Sequence, residues 1–294
     1  MRVAADAHDN QPPRAGGPRG RAAALLADVL TGAGRLVVLT GAGVSADSGI
    51  PTFRGSGGLY TADGQRVDPE QLATRAGFAR DPARVWAWYL SRLGLCRAAV
   101  PNAAHDALVE LEGLLGDRFT LITQNVDGLH ARAGSQRRFD VHGTLESCRC
   151  ASDCPPAVRA IPARFGGERL TRGGGLDADD VAALTCVTCG GWLRPHVLWF
   201  DEVYDEARFR FDSSLHAVAD AALVLVVGTT AATTLPATIA EVIEARGTPL
   251  IDCNPEPNLF ARLAERLPTG VALVGPAADV VPALVAAARA RAAG

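Results

Sequence analysis

Gly41-Ala42-Gly43-Val44-Ser45-Ala46-Asp47-Ser48-Gly49-Ile50-Pro51-Thr52-Phe53-Arg54-Gly55 follows directly on Leu36-Val37-Val38-Leu39-Thr40. The five preceding residues are apolar or β-branched and end at a glycine, the pattern of a buried strand. A strand that runs into Gly-x-Gly and then a helix aims backbone N–H groups and a helix N-terminus at one place. Small residues there let a pyrophosphate approach the chain, so the segment predicts a dinucleotide site on an α/β sheet. The same spacing also serves as a tight strand-to-helix turn with no ligand. The tail from Ser48 to Arg54 is the part that an ordinary dinucleotide turn does not need.

Working outward, the other apolar runs supply the rest of a sheet. Phe119-Thr120-Leu121-Ile122-Thr123 reads as a buried strand that delivers Gln124, Asn125 and Asp127 to its C-terminal end, where open α/β sheets bind ligands. An amide and a carboxylate there suit ribose hydroxyls and a water; they equally suit turn capping. Phe139-Asp140-Val141 is a short strand leading to His142. Ala222 to Val227 is a continuous apolar run, as expected when helices cover both faces, and it ends in Gly228-Thr229-Thr230. Pro249 to Pro255 adds a strand bearing Asn254. Apolar spacing predicts helices over Arg21 to Thr31, Asn102 to Leu115 and Ala278 to Ala292, and two helices of an inserted module over Gln71 to Ala79 and Pro82 to Arg97. The expected fold is α/β, a doubly wound, mostly parallel Rossmann-like sheet with a helical insert and a small zinc-binding module.

Composition permits this. The chain of 294 residues is 48% hydrophobic and 21% charged, enough for a sizeable core, and its net charge of -3 lacks the basic excess of a nucleic-acid-reading surface. No apolar run reaches bilayer-spanning length and no signal-peptide core is seen, so the expectation is a soluble, cytoplasmic protein. Met1 to Gly20 is too poor in apolar residues to pack and is expected to be disordered. Among seven cysteines, Cys150-x3-Cys154 and Cys186-x2-Cys189 form two close pairs. Four thiolates on two turns match a closed, structural zinc site; disulfides are the other reading, and Cys148 competes as a ligand. Cys96 and Cys253 read as buried hydrophobes.

Thr123-Gln124-Asn125-Val126-Asp127-Gly128-Leu129-His130, Val141-His142-Gly143 and the segment Gly41 to Gly55, in this order, resemble the signatures of the sirtuins, the NAD-dependent protein lysine deacylases. The resemblance runs from about Arg35 to about Leu284. It implies release of nicotinamide and O-acyl-ADP-ribose from NAD and an acyl-lysine protein or peptide, with His142 as general base and Asn125 and Asp127 orienting ribose and water. A histidine suits that task because it titrates near neutrality. The resemblance assigns NAD contacts to Gly41, Ala42, Gly43, Ser45, Phe53, Arg54, Gln124, Asn125, Gly228, Thr229, Thr230 and Asn254, and the adenine end to Ala278, Asp279 and Val280. It favours Cys150 over Cys148 as the first zinc ligand, and it sets Val197, Trp199, Phe200, Asp201 and Glu202 along the substrate peptide, which pairs as an added strand.

Three features concern specificity. Tyr89 and Arg92 lie three apart on a predicted helix and so share a face; this spacing, with Ala73, is similar to sirtuins that remove succinyl and malonyl groups. A solvent-facing Arg92 beside a half-buried Tyr89 is the plain alternative. Asp201 replaces the glycine common in the family, which either changes the backbone path or repels acidic substrates, and Ala231 to Pro236 is one residue longer than usual. The implied organisation is a large NAD-binding domain over 21–147 and 191–294, with the insert at about 56–100, and a zinc module over 148–190. ADP-ribosyl transfer or NAD hydrolysis on the same scaffold, and a catalytically silent NAD sensor, are the rival functions.

Overall fold

The structure is a computed structural model that describes residues 16–51, 61–62, 65–66, 72–165 and 175–294. Phe53, Arg54, the loop Gly55 to Tyr60 and the tail up to Ala15 lie outside the described residues. Eleven strands occur among those described: β1 (Leu36–Thr40), β2 (Thr61–Ala62), β3 (Gln65–Arg66), β4 (Phe119–Thr123), β5 (Arg138–Asp140), β6 (Gly143–Cys150), β7 (Arg159–Ala160), β8 (Leu193–Val197), β9 (Leu223–Val227), β10 (Leu250–Asn254) and β11 (Gly270–Val274).

Six of them form one parallel sheet in the order β11-β10-β9-β1-β4-β5. The chain winds outward from β1 in one direction and then, from β9, in the other, so the order reverses between β1 and β9. A parallel sheet of this kind is buried on both faces, and the strands show it: all five residues of β1 and of β9 are buried. Leu36 and Val38 face one core with the helices Pro18–Thr31, Ala103–Leu115 and Ala277–Ala292; Val37 and Leu39 face the other with Thr234–Arg246 and Leu259–Arg266.

The first helix starts at Pro18, inside the stretch expected to be disordered, because proline at the first helical position is already set to helical φ. After β1, Ala42–Ser48 is a 3₁₀ helix. Its bonds close over three residues, as in Val44 N–H to Gly41 O (3.1 Å) and Gly49 N–H to Ala46 O (3.0 Å). The tight winding lets this turn meet the one after β9 backbone to backbone: Gly43 N–H donates to Gly228 O at 2.8 Å. A Cβ on Gly43 would sit 2.6 Å from Gly228 Cα, and Gly228 itself has φ +64 with Val44 N 2.5 Å from any Cβ. Gly43→Ala is therefore expected to cost about 1–3 kcal/mol of stability by overpacking, read as a lower urea midpoint.

The second lobe is a three-stranded antiparallel sheet, β7-β6-β8, packed on the helices Arg75–Arg80 and Pro82–Ala98. Trp86 of the second helix is fully buried and its indole N–H donates to Leu193 O in β8 at 2.7 Å. One apolar cluster takes in Trp86, Tyr89, Leu93, Cys150, Cys186 and Leu193. The helical insert and the cysteine-bearing strands thus share a core.

Candidate functional site

The loops that leave the C-terminal ends of β1, β4 and β9 meet where the strand order reverses, which is where open α/β sheets hold ligands. Asn125, just past β4, is buried; its amide donates to Gly41 O (3.1 Å) and to Ser45 Oγ (3.1 Å). The Ser45 hydroxyl in turn donates to Asp127 Oδ2 at 2.8 Å, and the other carboxylate oxygen accepts from Leu129 N–H at 2.8 Å. Burial raises the Asp127 pKa against the pull of these two donors. Gln124 Nε2 donates to Thr229 Oγ1 (2.8 Å), and Asn254 Nδ2 to Thr229 O (2.9 Å). Gly41, Ser45, Asn125 and Asp127 therefore form one hydrogen-bonded group and Gln124, Thr229 and Asn254 a second, and Gly43 and Gly228 are in contact with each other. Thr230 is exposed at its rim. Ala278 and Asp279 open the last helix, where Ala278 N–H reaches Asp47 Oδ2 at 3.3 Å.

Asn102 was not among the expected site residues, yet it clamps this turn. Its amide donates to Val44 O and Ser48 Oγ, both at 2.9 Å, while its oxygen caps the helix Ala103–Leu115. Its N-cap position was legible in the sequence; its partners, more than fifty residues away, were not.

His142 stands between β5 and β6. Its Nδ1 lies 2.9 Å from Gln124 O, which can only accept, so the ring proton is assigned to Nδ1 and the lone pair to Nε2. Burial pushes the His142 pKa down to about 4, which keeps the ring neutral and able to take a proton at pH 7. Nε2 is met at 2.6 Å by the hydroxyl of Tyr204, a residue that the sequence reading did not single out. His105 and His130 are buried against each other, ring centroids 4.8 Å apart, with His130 Nε2 on Thr40 Oγ1 at 3.0 Å; their place is in the packing.

On the other side of Asn125, a cleft is lined by Ser45, Ile50, Arg92, Val126 and Asp127. Arg92 is only 8% exposed, so it is not the solvent-facing side chain of the plain alternative. Its guanidinium lies 4.6 Å from the Trp88 ring centroid and 6.0 Å from that of Tyr89. Tyr89 is buried too, and burial pushes its phenol up to about 12, so it remains a proton donor. The indole N–H of Trp199 donates to Tyr89 Oη at 3.0 Å, leaving the phenol proton to point elsewhere.

The stretch after β8 is held from both ends. Val197 pairs with Gly143, and Phe200 N–H donates to Ala73 O at 3.0 Å. Glu202 faces inward, receiving Arg194 (2.5 and 2.9 Å) and Trp199 N–H (3.0 Å). Asp201 Oδ1 and Oδ2 accept from the amides of Arg75 (2.8 Å) and Ala76 (3.3 Å), the first N–H groups of the helix Arg75–Arg80. Its carboxylate is thus engaged at a helix N-terminus, where the peptide dipoles favour an anion. The Phe200 ring is exposed beside it.

The Sγ atoms of Cys150, Cys154, Cys186 and Cys189 lie within 4.8 Å of one another. Four converging thiolates fit tetrahedral zinc with no position left for water, a structural site. Cys148 points away, its buried thiol 3.7 Å from Ala160 O. All seven cysteines are free, which removes the disulfide reading. The buried amide, hydroxyl and carboxylate at the strand ends likewise fit a dinucleotide by position and chemistry.

The Sir2 family model matches residues 41–234. The chain is 41% identical over 260 residues to NAD-dependent protein deacylase 1 of Pseudomonas aeruginosa, covering 88% of this chain and 96% of that one. A solved Sir2 homolog–NAD complex superposes with a TM-score of 0.71 at 34% identity, over 91% of this chain and 94% of the other. Sir2Af2 bound to a myristoylated histone peptide gives a TM-score of 0.66 at 25% identity, over 93% and 99%.

Proposed function

Since the chain belongs to the Sir2 family, and is an NAD-dependent protein deacylase acting on acyl-lysine proteins or peptides, we propose that it accepts acidic acyl groups such as succinyl and malonyl beside acetyl, with His142 as its base. The observation that carries the proposal is the buried guanidinium of Arg92 in the cleft beside Asn125 and Asp127, with Tyr89 on the same helix face. A guanidinium paired with a neutral phenol is a receptor for a carboxylate at the end of an acyl chain. Trp199 donates to the phenol oxygen, which leaves the phenol proton available to a carboxylate.

NAD, when bound, supplies an electrophilic ribose carbon and nicotinamide as leaving group. Gly41, Ala42, Gly43, Ser45, Gln124, Gly228, Thr229, Thr230 and Asn254 would hold it, and Phe53 and Arg54, outside the described residues, belong to the same assignment. Asn125 and Asp127 orient the ribose and a water through fixed hydrogen bonds, which makes the reacting geometry nearly prepaid. His142 receives a ribose hydroxyl proton at Nε2 while Gln124 O holds Nδ1–H in place. The peptide backbone lies along Val197, Trp199, Phe200, Asp201 and Glu202. Cys150, Cys154, Cys186 and Cys189 would hold zinc as a structural ion. A reducing, cytoplasmic setting suits seven free cysteines, and among the described residues no helix is long and apolar enough to cross a membrane.

The test compares release of lysine from matched acetyl- and succinyl-peptides by the wild type and by Arg92→Met. Loss of a charged hydrogen bond predicts a fall of about ten- to a hundredfold in desuccinylation kcat/KM, with deacetylation kept within about threefold. A wild type that removes acetyl alone, or a variant that loses both activities together, would overturn the acidic preference. That outcome would leave the deacylase itself standing.

A further inference from the structure

We infer that Tyr204 is a displaceable cap on the catalytic base: its hydroxyl occupies the lone pair of His142 Nε2 until a substrate hydroxyl takes its place. The inference rests on the reading of His142 as the base. A neutral imidazole has one lone pair. With Nδ1–H committed to Gln124 O, that lone pair is on Nε2, and Tyr204 Oη lies 2.6 Å from it. The phenol must therefore be the donor.

The same nitrogen cannot accept a second proton donor while the phenol holds it. Either the cap leaves when substrate arrives, or the base is unavailable. Three observations make leaving feasible. Tyr204 lies in a stretch without helix or strand, between the turn at Asp201 and the helix Glu206–Phe209. Its neighbour Val203 is 85% exposed. The ring itself is only partly buried, tilted against His142 and Phe211 at centroid distances of 5.7 and 5.4 Å. The phenol oxygen also accepts from the Thr233 hydroxyl and the Leu235 backbone N–H, both on the segment that follows Thr229 and Thr230, and neither of these bonds uses the phenol proton that caps Nε2. Thr233 in turn reaches Gln124 Oε1 at 3.4 Å, so the cap touches the same glutamine that fixes the base. The phenol is thus shared between the base and one wall of the cofactor site.

Tyr204→Phe removes the hydroxyl and keeps the ring. In the metal-loaded, full-length protein, its NAD dissociation constant by calorimetry is expected to fall by about three- to tenfold, the worth of one neutral hydrogen bond no longer in competition. In the absence of NAD, diethyl pyrocarbonate should modify His142 faster in the variant by a similar factor, read by peptide mass spectrometry. Tyr204→Leu, tested alongside with a thermal melt, should show the same tighter binding. Unchanged NAD affinity together with an unchanged His142 modification rate would overturn the inference. So would a fall in saturated turnover with affinity unchanged, because the phenol would then take part in the chemistry. His142→Ala separates the two levels: if it retains deacylation, the base assignment fails; if it is inactive while Tyr204→Phe behaves as wild type, the cap alone fails.

Discussion

His142→Ala is expected to lower deacylation turnover at saturating NAD and peptide by about 10²–10⁴-fold, the usual worth of a positioned general base. Alanine at this position removes the one ring nitrogen that Gln124 O leaves free to accept a proton. The fold should survive, because the imidazole lies in the loop between β5 and β6 at the end of the sheet and anchors no apolar cluster. A circular dichroism melt within a few degrees of wild type, together with near-complete loss of lysine release, is the outcome that supports the assignment; near-normal turnover would refute it. The same geometry gives a pH dependence. Burial holds the His142 pKa at about 4, below its ordinary 6.5, so the neutral, proton-accepting ring persists as pH falls from 7 through 6 and 5 and is lost only as pH approaches 4. The acid limb of kcat/KM due to His142, which reports the free enzyme, should therefore lie well below 6.5 in an acidic titration.

Removing the metal should have the second large effect. Where thiolates assemble only in the folded chain, metal-binding energy is folding energy, on the order of 10 kcal/mol. Cys150 and Cys186 are fully buried in the cluster that also contains Trp86, Tyr89, Leu93 and Leu193. Loosening the four-thiolate site must then loosen the helix Pro82–Ala98, which carries Tyr89 and Arg92, and with it the cleft beside Asn125. Cys186→Ser, or a strong chelator, is expected to abolish deacylation of acetyl- and succinyl-peptides alike and to remove a large part of the melting cooperativity. The wild type should bind one zinc per chain by atomic absorption. Cys148→Ser should leave that stoichiometry unchanged, since its thiol is turned to Ala160 O. A zinc-free chain with an intact melt and full activity would show that the cysteines do not support the lobe.

Much of this was legible in the residues in order. The continuous apolar runs of β1, β4 and β9 announced strands covered on both faces, because a parallel strand has no solvent side on which to place polar residues. The spacing of the cysteine pairs announced a tetrahedral donor set. Gly41 and Gly43 read as room for a phosphate, whereas the structure adds that Gly43 and Gly228 let two turns touch, with any Cβ on Gly43 blocked by Gly228.

By itself the sequence determined the chemical types present and their local periodicity: a parallel α/β sheet, a strand-end cluster of amide, carboxylate and imidazole, four thiolates, and an arginine one turn from a tyrosine. Periodicity and spacing are properties of neighbours along the chain, and those features are made by neighbours. Only the tertiary structure decided which distant groups meet. Asp201 caps a helix 126 residues before it, and Tyr204 reaches a histidine 62 residues away. Cys150 enters the thiolate cluster while Cys148, two positions earlier on the same strand, turns to Ala160. The insert and the cysteine module share one core for the same reason: each exposes an apolar face that it cannot bury alone, and the partner that covers it is set by the path of the chain through space.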